Sequence, residues 1–213
     1  MRDSRAGGEH RTPGIKPVPD APSQEGTMRI EKASFLGGAD FQSGEQTYKD
    51  VLETAKLLAQ SGITVLNGGG PGVMRAATEG AHAGGGRAVG VTYYPKYEHA
   101  TYEGRDSLNH FDEEVVTADY FERTQTLLEM GDVHIVFKGG TGTISEFGMS
   151  WALSRIHLGH STPLLLFGEF WEEITRCLRE YMYMREDEFR IYYIVTSPQE
   201  VLDTIRKLEQ ATP

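Results

Sequence analysis

Apolar positions along this chain fall into two alternating patterns. One is a short dense run of aliphatic and β-branched residues. The other is a longer stretch in which apolar residues return every third or fourth position. Dense runs at residues 30–36, 63–66, 87–92, 114–117, 133–137, 163–167 and 192–196 predict strands. Helical spacing predicts helices over 46–61, 73–83, 118–131, 143–158, 170–184 and 198–209. In the first of these, Tyr48, Val51, Leu52, Ala55 and Leu58 share a face, and Gly62 supplies a C-terminal stop. The run at 114–117 is the thinnest, with Val115 and Val116 as its apolar centre. Near-continuous apolar strands alternating with helices predict an α/β fold, a single Rossmann-like doubly wound parallel sheet with helices on both faces.

The 213 residues are enough for one domain with a full core, assigned here to residues 28–213. Residues 1–27 differ in kind. They hold Pro13, Pro17, Pro19 and Pro22 and almost no aliphatic residues, and so predict a disordered tail. They lack the apolar run of a secretory signal. No stretch approaches the ~20 apolar residues of a membrane span. The net charge of −10 argues against nonspecific nucleic-acid binding but is compatible with a small anion held by local donors. The single cysteine, Cys177, sits beside Ile174 and Leu178 on a helical face and reads as a packed thiol. One cysteine suits a reducing, cytoplasmic setting.

Two glycine turns carry the candidate chemistry, and each joins a predicted strand to a predicted helix. The first is Asn67-Gly68-Gly69-Gly70-Pro71-Gly72; the second is Lys138-Gly139-Gly140-Thr141-Gly142-Thr143-Ile144-Ser145-Glu146. Such a turn aims backbone N–H groups and the positive end of a helix dipole at one spot, which suits a phosphate. Thr141 and Thr143 can add hydroxyl donors. Glu146, placed by this reading in the first helical turn, has two explanations: it serves chemistry, or it stabilises the helix N-terminus. In a parallel sheet both turns open on the edge formed by the strands' carboxyl ends, which points to a phosphorylated small ligand. The glycines also permit tight turning and close packing without any ligand.

A dinucleotide dehydrogenase does not fit. Counted from Gly70, the fingerprint requires glycine where Arg75 stands; counted from Gly68, it requires glycine where Val73 stands. Tyr93 and Tyr94 stand where its ribose-binding acid belongs. A third element, Asp119-Tyr120-Phe121-Glu122-Arg123-Thr124, opens the helix before the second turn. Arg123 offers a fixed cation with a fork of donors, suited to a phosphate or a polar base edge. Taken alone it is equally a partner for Asp119, four residues back.

Residues 68–74, Arg123 and residues 139–146 together resemble the LOG (Lonely guy) family of nucleoside-monophosphate phosphoribohydrolases. The likeness covers most of 29–209 and includes Gly80-Ala81, the run 163–168 and the run 194–200. Some members carry the older label "lysine decarboxylase". Of the seven lysines only Lys138 borders a motif, and nothing here supports that chemistry. The resemblance implies hydrolysis of the N-glycosidic bond of a nucleoside 5′-monophosphate, of purine or cytokinin type, to free base and ribose 5-phosphate. It maps the catalytic pair to Arg123 and Glu146. It maps phosphate and nucleotide contacts to Gly37, Gly38, Gly69, Gly70, Gly72, Met74, Gly139, Gly140, Thr141, Gly142 and Thr143. Tyr120 and Phe121 become candidate base contacts. It implies a homodimer with sites near the subunit interface, and no metal or other cofactor. The seven histidines show no ligand spacing, although His157 and His160 could share a helix face.

The chain departs from the cytokinin-type pattern in four places. Lys138 replaces a proline, Thr124 a lysine and Tyr120-Phe121 a methionine–histidine pair, while Arg75 follows Met74 where an acid is common. The aromatic pair resembles that of broader-specificity bacterial members, so the base is left open. Arg75 and Lys138 add positive charge near the turns, as ligand contacts or as solvated surface. Residues 93–112 predict a long loop, a lid or a dimer contact, in which Tyr93, Tyr94, Tyr97 and Tyr102 could stack on a base. Two other readings remain: a carrier or sensor of a phosphorylated cofactor, as in the molybdenum-cofactor carriers that share this likeness, and an interaction module.

Overall fold

The computed structural model describes residues 29–94, 105–156 and 162–211. The predicted tail, Tyr97, Tyr102, His157 and His160 lie outside the described residues. In chain order the elements are β1 Lys32–Leu36, α1 Gln46–Gln60, β2 Thr64–Asn67, α2 Val73–Ala83, β3 Ala88–Tyr93, β4 Glu113–Thr117 and α3 Tyr120–Met130. There follow β5 Val133–Val136, α4 Thr141–Ile156, β6 Leu164–Phe167, α5 Phe170–Tyr181, a 3-10 helix Glu186–Arg190, β7 Tyr192–Val195 and α6 Pro198–Ala211. The fold is therefore the Rossmann-like α/β arrangement expected.

Among the described residues one sheet holds seven parallel strands in the order β4-β3-β2-β1-β5-β6-β7. The chain winds outward from β1 to β4, then returns through α3 to β5 on the other side of β1. That reversal leaves a crevice between β1 and β5 at their carboxyl ends, the usual ligand position in such sheets. Register across the seam is fixed by Ala33 opposite Val133 and Leu36 opposite Val136.

Both faces of the sheet are covered, which explains the unbroken apolar runs. Phe35, Val65, Ile135 and Leu165 pack under α1, α2 and α6, against Leu58, Ala76 and Ile205. The alternate residues Leu36, Leu66, Val136 and Leu166 meet Leu127, Phe147, Trp151 and Trp171 from α3, α4 and α5. Edge strand β4 is covered less, and Val116 is 57% exposed, so its apolar signal is short. Two polar residues inside buried strands are matched by partners. Ser34 donates to the Leu127 carbonyl at 2.7 Å. The His134 ring sits 2.5 Å from Ser150 Oγ and 2.9 Å from the Leu128 carbonyl, and burial lowers its pKa from 6.5 to about 4. The 3-10 helix was not anticipated; its acidic sequence has no apolar period, and Phe189 is its buried apolar residue.

Candidate active site

Three strand-to-helix turns meet at the β1–β5 crevice and are bonded to one another. Gly38, just past β1, donates its N–H to the Lys138 carbonyl at 3.0 Å and accepts the N–H of Val73 at 3.0 Å. One residue thus ties the turn after β5 to the start of α2. Gly37 packs on Val73, whose Cγ1 lies 2.7 Å from where a Cβ would stand. Gly72 has φ +62°, and its missing Cβ would come within 2.5 Å of the Ala39 backbone. These glycines therefore serve close backbone approach as well as any ligand.

The turn after β5 is the open one. Gly139, Gly140 and Thr141 are exposed, Gly142 is half-buried and Thr143 is buried. Helix α4 begins at Thr141, two residues earlier than its sequence predicts. Its first-turn N–H groups have no intrahelical partner and face this opening. The early start also moves Glu146 out of the first turn and into the second. There it is 5% exposed. A buried carboxylate one turn in is poorly placed to complement the helix dipole, so that explanation of Glu146 fails.

Glu146 meets Arg123. Asp119 does not compete for the guanidinium: its carboxylate caps α3, accepting the N–H groups of Phe121 at 2.8 Å and Glu122 at 3.0 Å. Instead, Arg123 Nη1 donates to Glu146 Oε1 in a short ion pair, with side chains 13% and 7% exposed. Burial raises the Glu146 pKa above the usual carboxylate value, with Arg123 opposing. The first glycine turn closes on the same pair: a Cβ on Gly68 would lie 3.1 Å from Arg123 Nη1 and 3.0 Å from Met74 Sδ.

The two candidate base contacts part company. Tyr120 places its ring 4.9 Å from the Arg123 guanidinium carbon, meets Tyr93 edge-on at 6.2 Å, and brings its hydroxyl within 3.4 Å of the Gly142 carbonyl. Phe121 is 75% exposed and lines a groove between α3 and α4 with Leu128, Met149 and Leu153, away from the ion pair. Lys138 is exposed, with Nζ 6.0 Å from the Phe170 ring centre.

Residues 105–112 contribute contacts that the sequence did not reveal. Asp106 donates its N–H to the Gly69 carbonyl at 3.0 Å, and Asn109 donates from Nδ2 to the Gly70 carbonyl at 2.9 Å. Arg75 Nη1 lies 3.0 Å from Asp106 Oδ2, so Arg75 is not simply solvated surface charge: it fastens this strap. The turn's N–H groups are also engaged, Gly69 with Asn67 Oδ1 at 2.9 Å and Gly70 with Met74 Sδ at 3.3 Å. The first turn is therefore braced at Gly69 and Gly70, and the weak thioether contact leaves the Gly70 donor easily exchanged. An Asx turn, with Leu108 N–H on Asp106 Oδ1, was the available sequence signal, but nothing local shows where it docks. Among the described residues no group of three or more His, Cys, Asp or Glu side chains is placed to hold a metal ion.

A doubly wound sheet with an open helix N-terminus and a buried Arg–Glu pair at its reversal point makes up the candidate site. The chain belongs to the SLOG cluster4 family, whose pattern matches residues 32–186, in accord with the LOG likeness of its motifs. Its relatives include an uncharacterized protein of Archaeoglobus fulgidus, 29% identical over 66% of this chain and 87% of that protein. Another is the cytokinin riboside 5′-monophosphate phosphoribohydrolase of Mycobacterium tuberculosis, 33% identical over 60% of this chain and 68% of the other. Among solved structures, the molybdenum cofactor binding protein of Rippkaea orientalis shares the fold with TM-score 0.63 and 23% identity, over 85% of this chain and 98% of that one. The molybdenum cofactor carrier protein of Chlamydomonas reinhardtii does so with TM-score 0.56 and 21% identity, over 84% and 98%.

Proposed function

We propose that this protein hydrolyses the N-glycosidic bond of a nucleoside 5′-monophosphate, releasing the free base and ribose 5-phosphate. The observation that carries this reading is the buried Arg123–Glu146 pair one helical turn from the open N-terminus of α4. The phosphate binds at Gly139–Gly140 and the first-turn N–H groups of α4, with the Thr141 and Thr143 hydroxyls as further donors. That remote contact holds the anomeric carbon over Glu146. Cleavage proceeds through an oxocarbenium-like sugar, whose positive charge a carboxylate stabilises. The C1′–N bond breaks with its electron pair going to the base, and a water oxygen bonds to C1′. The water's proton passes to Glu146, whose raised pKa suits it to hold a proton and hand it to the departing base. Arg123 keeps Glu146 through Nη1 and offers its remaining guanidinium donors to the anionic ligand. The Mycobacterium tuberculosis relative, named for this reaction on cytokinin ribotides, supports the reaction class. The four departures around the site leave ordinary purine nucleotides as the first substrates to try.

The protein is proposed to act in the cytoplasm as a homodimer. Exposed Ile144, Ile156 and Met182 border an apolar groove between α4 and α5 that a second copy would cover.

The test is incubation with AMP, GMP, CMP and cytokinin monophosphates, with released base read by chromatography and oligomeric state by light scattering. Base release from at least one is expected. Tight binding without release would replace the hydrolase with a carrier, the activity named for the Chlamydomonas structural neighbour. Binding of none would refute both.

A further inference from the structure

Tyr120 lies against Arg123 and against the helical backbone just before Glu146. Its ring lies 4.9 Å from the guanidinium carbon of Arg123, three residues on along α3. Its hydroxyl lies 3.4 Å from the Gly142 carbonyl. In α4 that carbonyl is the one that accepts the backbone N–H of Glu146, four residues later. The ring edge is held in turn by Tyr93, at 6.2 Å and 75°. Tyr120 therefore spans from the guanidinium to the turn of α4 just before the carboxylate, and it is half-buried.

We propose that Tyr120 is a positioning residue for the Arg123–Glu146 pair, holding the guanidinium on one side and the first turn of α4 on the other. This assigns it a role other than stacking on the base. An aromatic face attracts a guanidinium and narrows the arc through which it swings. A side chain as long as arginine otherwise samples many rotamers, and each one away from Glu146 leaves a buried carboxylate without its cation. The 3.4 Å hydroxyl contact is longer than an ordinary O–H···O bond and contributes the smaller part. The inference rests on the hydrolase reading for its kinetic arm only.

The experiment uses Tyr120→Leu, which removes ring and hydroxyl, and Tyr120→Phe, which removes the hydroxyl alone. Tyr120→Leu should lower kcat roughly tenfold, by about the same factor for purine and pyrimidine monophosphates, with KM moving less. Tyr120→Phe should restore most of that loss. The competitive constant for ribose 5-phosphate, which has no base, should weaken in the Leu variant along with the nucleotides. A loss confined to KM, larger for purines, and absent for ribose 5-phosphate would make Tyr120 a base contact and overturn the proposal. A second readout needs no turnover. Among the described residues Arg123 is the charged side chain that acts on Glu146. Loosening it should raise the Glu146 titration midpoint, followed by carbon NMR of labelled glutamate. An unchanged midpoint in Tyr120→Leu overturns the positioning role even if no nucleotide is cleaved, whereas failed cleavage with a shifted midpoint counts against the hydrolase reading alone.

Discussion

Replacing Glu146 with glutamine separates the chemistry of this carboxylate from its structural part. The side chain is almost fully buried and has Arg123 Nη1 as its partner. Glutamine keeps the volume and one acceptor oxygen, so Arg123 retains a hydrogen bond. Glu146→Ala instead strands a guanidinium that is only 13% exposed, and removing one member of a buried pair costs about 3–5 kcal/mol. A lost activity in the alanine variant could thus be a lost fold; in the glutamine variant it is not. General acid–base assistance contributes about 10²–10⁴-fold. Glu146→Gln should therefore lower kcat by about a thousandfold, roughly 4 kcal/mol of barrier. The stability sign is opposite. Burial raises the folded-state pKa of Glu146, so the stability linked to its protonation is present at low pH and lost as pH rises through that pKa. Glutamine removes this loss, and the variant should melt at or above the wild-type temperature at neutral pH. Base release from AMP, with calorimetric melting on the same samples, checks both halves. A glutamine variant that keeps a tenth or more of wild-type turnover refutes the catalytic assignment. One that melts well below wild type refutes the electrostatic reasoning.

Three further outcomes are expected. Gly139→Ala puts a Cβ against Thr143 Oγ1 and 2.6 Å from the Gly38 nitrogen, so AMP binding measured by titration calorimetry should fall at least ~10-fold, since an overpacked turn must shift by the ~1–3 kcal/mol of strain it takes on. His134 is buried neutral; its pKa is depressed, so its stability contribution is intact above pH 6.5 and lost as pH falls toward 4, by roughly 3 kcal/mol in total, and His134→Gln should flatten that slope in pH-dependent urea unfolding. Arg75→Met unpairs Asp106 and should destabilise by about 1–3 kcal/mol in urea, with Arg75→Met/Asp106→Asn recovering part of the loss, because the bare carboxylate and not the missing contact dominates.

The strand and helix pattern was legible because the buried strands leave apolar runs separated by stretches of helical spacing, and α2 falls at 73–83 as its spacing predicts. Boundaries shifted where another bond outbid local propensity. Asp119 reads as a helical residue or an ion-pair partner, yet its side chain caps α3 and the helix begins after it. Thr141-Gly142 reads as turn, because glycine disfavours helix, yet the helix already includes both residues. At the site, the glycine turns, Arg123 and Glu146 were visible as motifs and the structure brings them together. Their separate roles were not visible. That Tyr120 turns inward while its neighbour Phe121 turns out depends on the phase of α3 over the sheet. The strap was invisible because Asn109 reaches Gly70 across 39 residues, and no local pattern encodes such a contact.

The return of the chain through α3 has a consequence for how this site can be cut. Strands β1 to β4 lie on one side of the β1–β5 seam and β5 to β7 lie on the other. Arg123 and Glu146 both belong to the later segment, while Gly68 and Met74, which wall them in, belong to the earlier one. Severing the chain between β4 and α3 would leave each fragment with half a pocket. Restoring the pairing of Phe35 with Ile135 would restore the other half, so such fragments would form a split reporter whose signal is the joining of the sheet.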